Sequence, residues 1–124
     1  MVKEKGIEKK KVKIQTQITF ISNYPISGVK HSTSLSVVIG YLQKMKLKKS
    51  FSIDIETTGL SPTKDKIIML QIGDDVEQFV IDCRVIDCSP LFPYICSNEY
   101  EKIGTNLKFE YKMFLGNWGI RMQN

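Results

Sequence analysis

Residues 51–60 read FSIDIETTGL and place two carboxylates, Asp54 and Glu56, in the middle of a strand-like segment. Apolar and polar residues alternate along it, so one face of the predicted strand is apolar and the other carries both acids. Side chains two residues apart on a strand lie roughly 6.5–7 Å apart. Carboxylates that close repel each other unless a cation lies between them, and Mg²⁺ prefers oxygen ligands. The pair is therefore either a solvent-exposed strand face or a pair of metal ligands.

The composition is that of an ordinary globular chain. Its 124 residues, 42% hydrophobic and 25% charged, suit one domain with a modest core. No run approaches the roughly 18 apolar residues of a membrane span, and no apolar segment follows the basic N-terminus as in a secretory signal. The three cysteines are odd in number and lack CxxC spacing, which argues against a zinc site or a disulfide framework. We expect a reduced, cytoplasmic protein with no membrane partner.

Charge is distributed unevenly along the chain. Residues 1–50 hold 11 Lys and 2 Glu, a balance of +9, whereas residues 51–124 hold 7 Lys and Arg and 11 Asp and Glu, a balance of −4. A basic leader can bind a polyanion by releasing counterions, or it can be a solvated tail that aids solubility. We expect residues 1–33 to form a basic N-terminal extension, disordered over residues 1–13 and with a strand over Lys13 to Ile21.

Periodicity and capping signals predict the remaining elements. A helix begins after Ser34, its expected N-cap, and the acid strand follows. Gly73-Asp74-Asp75 lies between two apolar strands and predicts a hairpin. A short helix and a short strand precede a final helix, LKFEYKMFL, which Asn106 caps and Gly116 ends. The order β-α-β-β-β-(α)-β-α predicts an α/β fold in which helices flank a mixed sheet.

A second motif lies some fifty residues after the acid pair. It reads Gly104-Thr105-Asn106-Leu107-Lys108-Phe109-Glu110 and spans a predicted strand–turn–helix. With Asp54-x-Glu56-Thr57, it resembles the DEDD 3′–5′ exonucleases, which include ribonuclease D and the proofreading domains of A-family DNA polymerases. The family motifs are an Asp-x-Glu-Thr strand and a Gly-x-Asn-x-Lys-Phe/Tyr-Asp helix start. The resemblance implies a ribonuclease H-like fold, with residues 34–124 as the N-terminal portion of the exonuclease domain.

The resemblance also implies a mechanism and a set of site residues. Family members hydrolyse phosphodiester bonds with two Mg²⁺ or Mn²⁺ ions. The implied catalytic metal ligands are Asp54, Glu56 and Glu110. The residues implied to contact the terminal nucleotides are Thr57, Leu60, Asn106 and Phe109. The implied partners are single-stranded DNA or RNA 3′ ends and the remainder of an A-family DNA polymerase.

Three residues of the second motif, and Trp118 after it, also have purely structural interpretations. Glu110 could be an exposed residue of an amphipathic helix, and Asn106 could be only an N-cap. Phe109 could be only a core residue, and Trp118 is more typical of packing than of base stacking. These alternatives stay open at the level of sequence.

Three departures from the family pattern bear on activity. Glu110 replaces an Asp, Thr105 stands where His or Gln is common, and the third motif, Tyr-x-x-x-Asp or His-x-x-x-x-Asp, has no match. Residues 111–124 contain no Asp. We therefore expect a fold that is incomplete at its C-terminus and that needs a third acid from elsewhere for hydrolysis. The alternative is a non-catalytic module that binds nucleic acid or a polymerase.

Overall fold

A computed structural model describes residues 15–124 and contains one sheet with helices against it. The strands are β1 (Gln17–Ile21), β2 (Lys30–Ser32), β3 (Ser50–Thr57), β4 (Ile67–Gly73), β5 (Glu77–Asp82) and β6 (Glu101–Ile103). The helices are α1 (Ser36–Gln43), α2 (Phe92–Ile95) and α3 (Leu107–Trp118), with a 3₁₀ turn (Ser89–Leu91) directly before α2. No helix within the described residues is long and apolar enough to cross a membrane.

The six strands form a mixed sheet in the order β2-β1-β5-β4-β3-β6. Strands β5, β4 and β3 are antiparallel neighbours. Strand β1 runs parallel to both β5 and β2, and β6 runs parallel to β3. The predicted α/β fold with a mixed sheet is confirmed, as is the hairpin between β4 and β5.

Strand register separates an apolar face of the sheet from a polar one. Ile55, Leu70 and Ile81 lie side by side on β3, β4 and β5 and are all buried. The helices pack on this face, and their buried side chains join the same core: Val38, Leu42, Ile95, Met113 and Phe114. On the opposite face, Asp54 lies beside Gln71. The burial of one face therefore forces both acids of β3 onto the other.

The first strands belong to the same sheet. β1 forms part of the strand predicted over Lys13 to Ile21, and the first two residues of that prediction lie outside the described residues. The predicted disorder of residues 1–13 lies outside them too. Because β1 pairs with β5 along its whole length, Gln17–Ile21 is part of the sheet. The division of the chain at residue 33 stays a prediction.

Two helix boundaries differ from those expected. Helix α1 begins at Ser36 with Leu35 at the N-cap position, although the Ser34 hydroxyl still accepts a hydrogen bond from the Ser36 N–H at 3.0 Å. Helix α3 does not end at Gly116. It continues to Trp118 and ends at Gly119, whose φ of 69° is the left-handed conformation that glycine adopts readily.

Candidate active site

Strand β3 presents Asp54 and Glu56 to solvent because Ile53 and Ile55, which alternate with them, are buried. The Asp54 carboxylate accepts a hydrogen bond from the Ile55 N–H at 2.9 Å. Register places Asp54 beside Gln71 and Glu56 beside Met69, and the pairing shifts directly after Glu56. These side chains line a small cavity of about 20 Å³, which has room for about one water molecule.

Glu110 lies in the first turn of α3 and points into the protein. Asn106 is the N-cap of this helix, and its side chain accepts a hydrogen bond from the Phe109 N–H at 3.4 Å. The cap starts the helix so that Glu110 is only 3% exposed, and its Oε1 atom has no hydrogen-bond partner among residues 15–124. The alternative of a solvent-exposed Glu110 is therefore wrong.

The surroundings of Glu110 disfavour the ionised form of its carboxyl group. Burial, together with the negative charge of Asp54, raises the pKa of Glu110 to about 7. Two carboxylates on different elements, β3 and α3, thus act on each other. A buried carboxylate beside a like charge either keeps a proton or takes a cation.

The three predicted metal ligands do not form a single cluster. Within residues 15–124, no three His, Cys, Asp or Glu side chains lie close enough to hold a metal ion. Asp54 interacts with each of the other two predicted ligands: it lines a cavity together with Glu56, and its charge raises the pKa of Glu110. Mg²⁺ is commonly bound by one or two carboxylates, several waters and substrate phosphates. The donor chemistry present therefore fits a divalent cation that keeps part of its water shell.

Three of the four predicted nucleotide contacts line one groove. Leu60 projects from the loop after β3 and is 81% exposed, while Asn106 and Phe109 come from the start of α3. They line a groove of about 350 Å³ together with Pro62, Lys108 and Lys112. An exposed leucine beside a half-buried aromatic ring and two lysines is suited to a nucleoside and its phosphates.

Thr57 is positioned differently from the other three. It is half-buried, and its hydroxyl donates a hydrogen bond to the carbonyl oxygen of Gly59 at 2.7 Å. The hydroxyl thereby holds the turn that leads to Leu60, and Thr57 is not among the residues that line the groove. Its predicted contact with a nucleotide stays a prediction.

Several residues around the site had no role predicted from the sequence. Lys112 lies four residues after Lys108, a spacing that puts both on one side of α3 and could have identified the basic side of the groove. Gln71 reaches the Asp54 cavity from β4, and only strand register brings it there. Gln71 and Thr105 also line a second groove, of about 400 Å³, on the open face of the sheet.

In sequence, the chain is similar to one family of known proteins and to a DNA polymerase. The sequence model of a family described as 3′–5′ exonuclease matches residues 26–124. DNA polymerase I of Aquifex aeolicus is 44% identical over 69 residues, which are 55% of this chain and 11% of the polymerase. The chain therefore spans about a ninth of that relative.

Solved structures resemble the chain in fold. The catalytic core of RRP6 from Trypanosoma brucei has a TM-score of 0.67 at 12% identity, over 90% of this chain and 28% of that one. Escherichia coli RNase D has a TM-score of 0.62 at 15% identity, over 88% and 26%. Brucella melitensis NrnC with bound Mg²⁺ has a TM-score of 0.57 at 19% identity, over 88% and 48%.

Proposed function

Because the chain belongs to the DEDD 3′–5′ exonuclease family, we propose that it binds single-stranded 3′ ends and hydrolyses the terminal phosphodiester bond with Mg²⁺ or Mn²⁺. The polymerase relative favours DNA over RNA as the substrate. It also favours the remainder of an A-family DNA polymerase as the physiological partner.

The observation that carries this proposal is the state of Glu110. Its carboxylate is buried, one of its oxygens has no hydrogen-bond partner in the described part of the chain, and the charge of Asp54 opposes its ionisation. Such an arrangement destabilises a fold, since burying an unpaired charge is costly. A cation between the two carboxylates would remove this cost. Ionisable groups whose pKa is shifted by burial and by a neighbouring charge are concentrated at functional sites.

Each part of the site has a separate task in this proposal. Asp54 and Glu110 would hold the cation, and Glu56, at the shared cavity, would orient the attacking water. A divalent cation stabilises the charge that develops on the phosphate and lowers the pKa of bound water. Leu60 and Phe109 would pack on the last nucleoside, and Thr57 and Asn106 would contact it as well.

The competing function is binding of nucleic acid without hydrolysis. It is favoured by the absence, within the described part of the chain, of a third carboxylate that completes the cluster. In this case the groove beside α3 would hold a single strand, and the third acid would have to come from another protein.

Degradation of a 5′-labelled single-stranded oligonucleotide tests the proposal. With Mn²⁺, the chain should produce a ladder of progressively shorter labelled products, and EDTA should abolish it. Asp54→Asn and Glu110→Gln should each slow the reaction by at least about 100-fold, because each removes a charge that the reaction depends on.

Asp75→Asn is the matched control, since Asp75 is an exposed carboxylate at the tip of the β4–β5 hairpin. It should degrade the oligonucleotide at the rate of the unmodified chain. Equal rates for the unmodified chain and Asp54→Asn would contradict the proposal. Binding of the oligonucleotide without any metal-dependent shortening would favour the non-catalytic alternative.

A further inference from the structure

The loop that carries Leu60 is held in place by one side chain of α3, that of Asn117. Its Oδ1 atom accepts a hydrogen bond from the Ile67 N–H at 2.9 Å. Its Nδ2 group donates to the carbonyl oxygens of Pro62 and Asp65, at 2.9 Å and 2.8 Å. One amide thus satisfies three backbone groups that lie fifty or more residues away in the sequence.

The loop is also ordered internally, so holding its far end positions its tip. The Asp65 carboxylate accepts hydrogen bonds from the Ser61 N–H at 2.8 Å and the Thr58 hydroxyl at 3.1 Å. The Thr58 hydroxyl in turn accepts from the Lys66 N–H at 2.9 Å. Leu60 lies between Thr58 and Ser61, at the tip of this bonded turn.

Helix α3 and the loop pack closely at Gly116, where there is no room for a side chain. A side-chain Cβ at Gly116 would collide with the Pro62 carbonyl oxygen. Only glycine therefore permits this approach, and it brings Asn117, the next residue, within reach of the loop carbonyls. The first turn of the same helix carries Phe109, which lines the same groove as Leu60.

From this geometry we infer that Asn117 is a positioning residue that fixes Leu60 at the groove that Phe109 also lines, so that the two can pack on the last nucleoside of a strand. The inference rests on the proposed function. Asn117 itself lies outside the groove and would act only through the loop. Asparagine suits the task because its amide offers both an acceptor and two donor hydrogens, whereas aspartate would oppose two carbonyl oxygens.

A double-mutant cycle on binding tests the inference. The probe is a 5′-fluorescein-labelled oligothymidylate in EDTA, where no hydrolysis takes place, and the readout is fluorescence anisotropy. Asn117→Ala should weaken binding by about tenfold, as should Leu60→Ala, since a nucleobase contact is of that order. In the Leu60→Ala background, the additional loss of binding caused by Asn117→Ala should be less than about twofold.

The non-additivity is the signature that a general loss of structure would not produce. Two further variants separate the loss of the amide donors from the effects of side-chain size and of added charge. Asn117→Asp, which keeps the side-chain shape, should bind as weakly as Asn117→Ala does. Asn98→Asp, which adds the same charge at an exposed asparagine, should bind normally. Hydrogen exchange at the Ile67 amide should be faster in Asn117→Ala, with thermal unfolding still cooperative.

The outcomes separate this inference from the proposed function. If the unmodified chain binds the probe and Asn117→Ala binds equally well, the inference is wrong and the proposed function stands. If the Asn117 and Leu60 effects add in full, Asn117 does not act through Leu60 and the inference is again wrong. If the unmodified chain does not bind the probe, the proposed function is wrong and the inference with it.

Discussion

At the scale of single residues, two buried carboxylates of the described chain show opposite states. Asp82 is fully buried, and it accepts hydrogen bonds from the Arg84 guanidinium and the Tyr24 hydroxyl. Glu110 is nearly as buried, yet no described residue forms a hydrogen bond with one of its oxygens. The first arrangement stabilises a fold, while the second destabilises it. On this contrast we propose a functional role for Glu110 and not for Asp82.

The pairing of Asp82 predicts a specific sensitivity to acid. Hydrogen bonds from Arg84 hold the pKa of Asp82 at about 2, below its ordinary 3.8. The unfolded chain therefore takes up this proton first, and the stability that the ionised group contributes is lost as the pH falls from about 4 to about 2. The unmodified chain should have a higher free energy of unfolding than Asp82→Asn, and we expect this difference to shrink by about 2 kcal/mol across that window.

Urea unfolding of the two proteins at a series of pH values measures this difference. Comparison with Asp82→Asn cancels the titration of the other acids, which both proteins share. An advantage that stays constant from about pH 5 to about pH 2 would show that Asp82 is not ionised and paired as described.

The sequence predicts on which face a side chain lies only where a short hydrophobic period determines its orientation. Alternation along β3 was enough to place both Asp54 and Glu56 on the polar face. Glu110 could not be placed in the same way, because the apolar residues around it fit a helix whose acids face solvent. Its burial depends on where β3 lies relative to α3, which no local pattern encodes.

At the scale of elements, the glycines inside helices α1 and α3 have different surroundings. Gly40 in α1 has open space where a Cβ would be, whereas a Cβ at Gly116 in α3 would collide with the Pro62 carbonyl. The sequence shows only that each is a glycine within a helical pattern. For that reason Gly116 was expected to end α3, although the helix continues through it and it marks a close contact with the loop at Pro62.

The two glycines form a matched pair for an alanine test. Gly40→Ala should raise the free energy of unfolding by about 0.5–1 kcal/mol, because alanine loses less backbone entropy in a helix. Gly116→Ala should lower it by about 1–3 kcal/mol, since the loop must move away from the helix. Chemical denaturation measures both values. An equal gain in stability for both variants would show that α3 does not pack against the loop.

At the scale of the whole molecule, the fold class and the candidate site follow from different kinds of information. Alternation, the Gly73-Asp74-Asp75 turn and the element order were sufficient to predict an α/β fold with a mixed sheet. The groove beside α3 was only partly predictable. Leu60, Asn106 and Phe109 were recognised from family motifs, but their meeting in one groove depends on Asn117 and Gly116, whose partners lie fifty or more residues away.

The proposed chemistry depends above all on a divalent cation shared by Asp54 and Glu110. Titration of the purified chain with Mn²⁺, followed by electron paramagnetic resonance of the free ion, tests this sharing without any substrate. We expect the chain to bind Mn²⁺, and Asp54→Asn and Glu110→Gln each to weaken that binding by at least about tenfold, because each removes a neighbouring negative charge.

Asp75→Asn again supplies the control, and it should bind Mn²⁺ as the unmodified chain does. The predicted result is thus a loss of affinity that is confined to the two variants of the site. Equal affinity in all four proteins, or no binding by the unmodified chain, would contradict a cation site between β3 and α3.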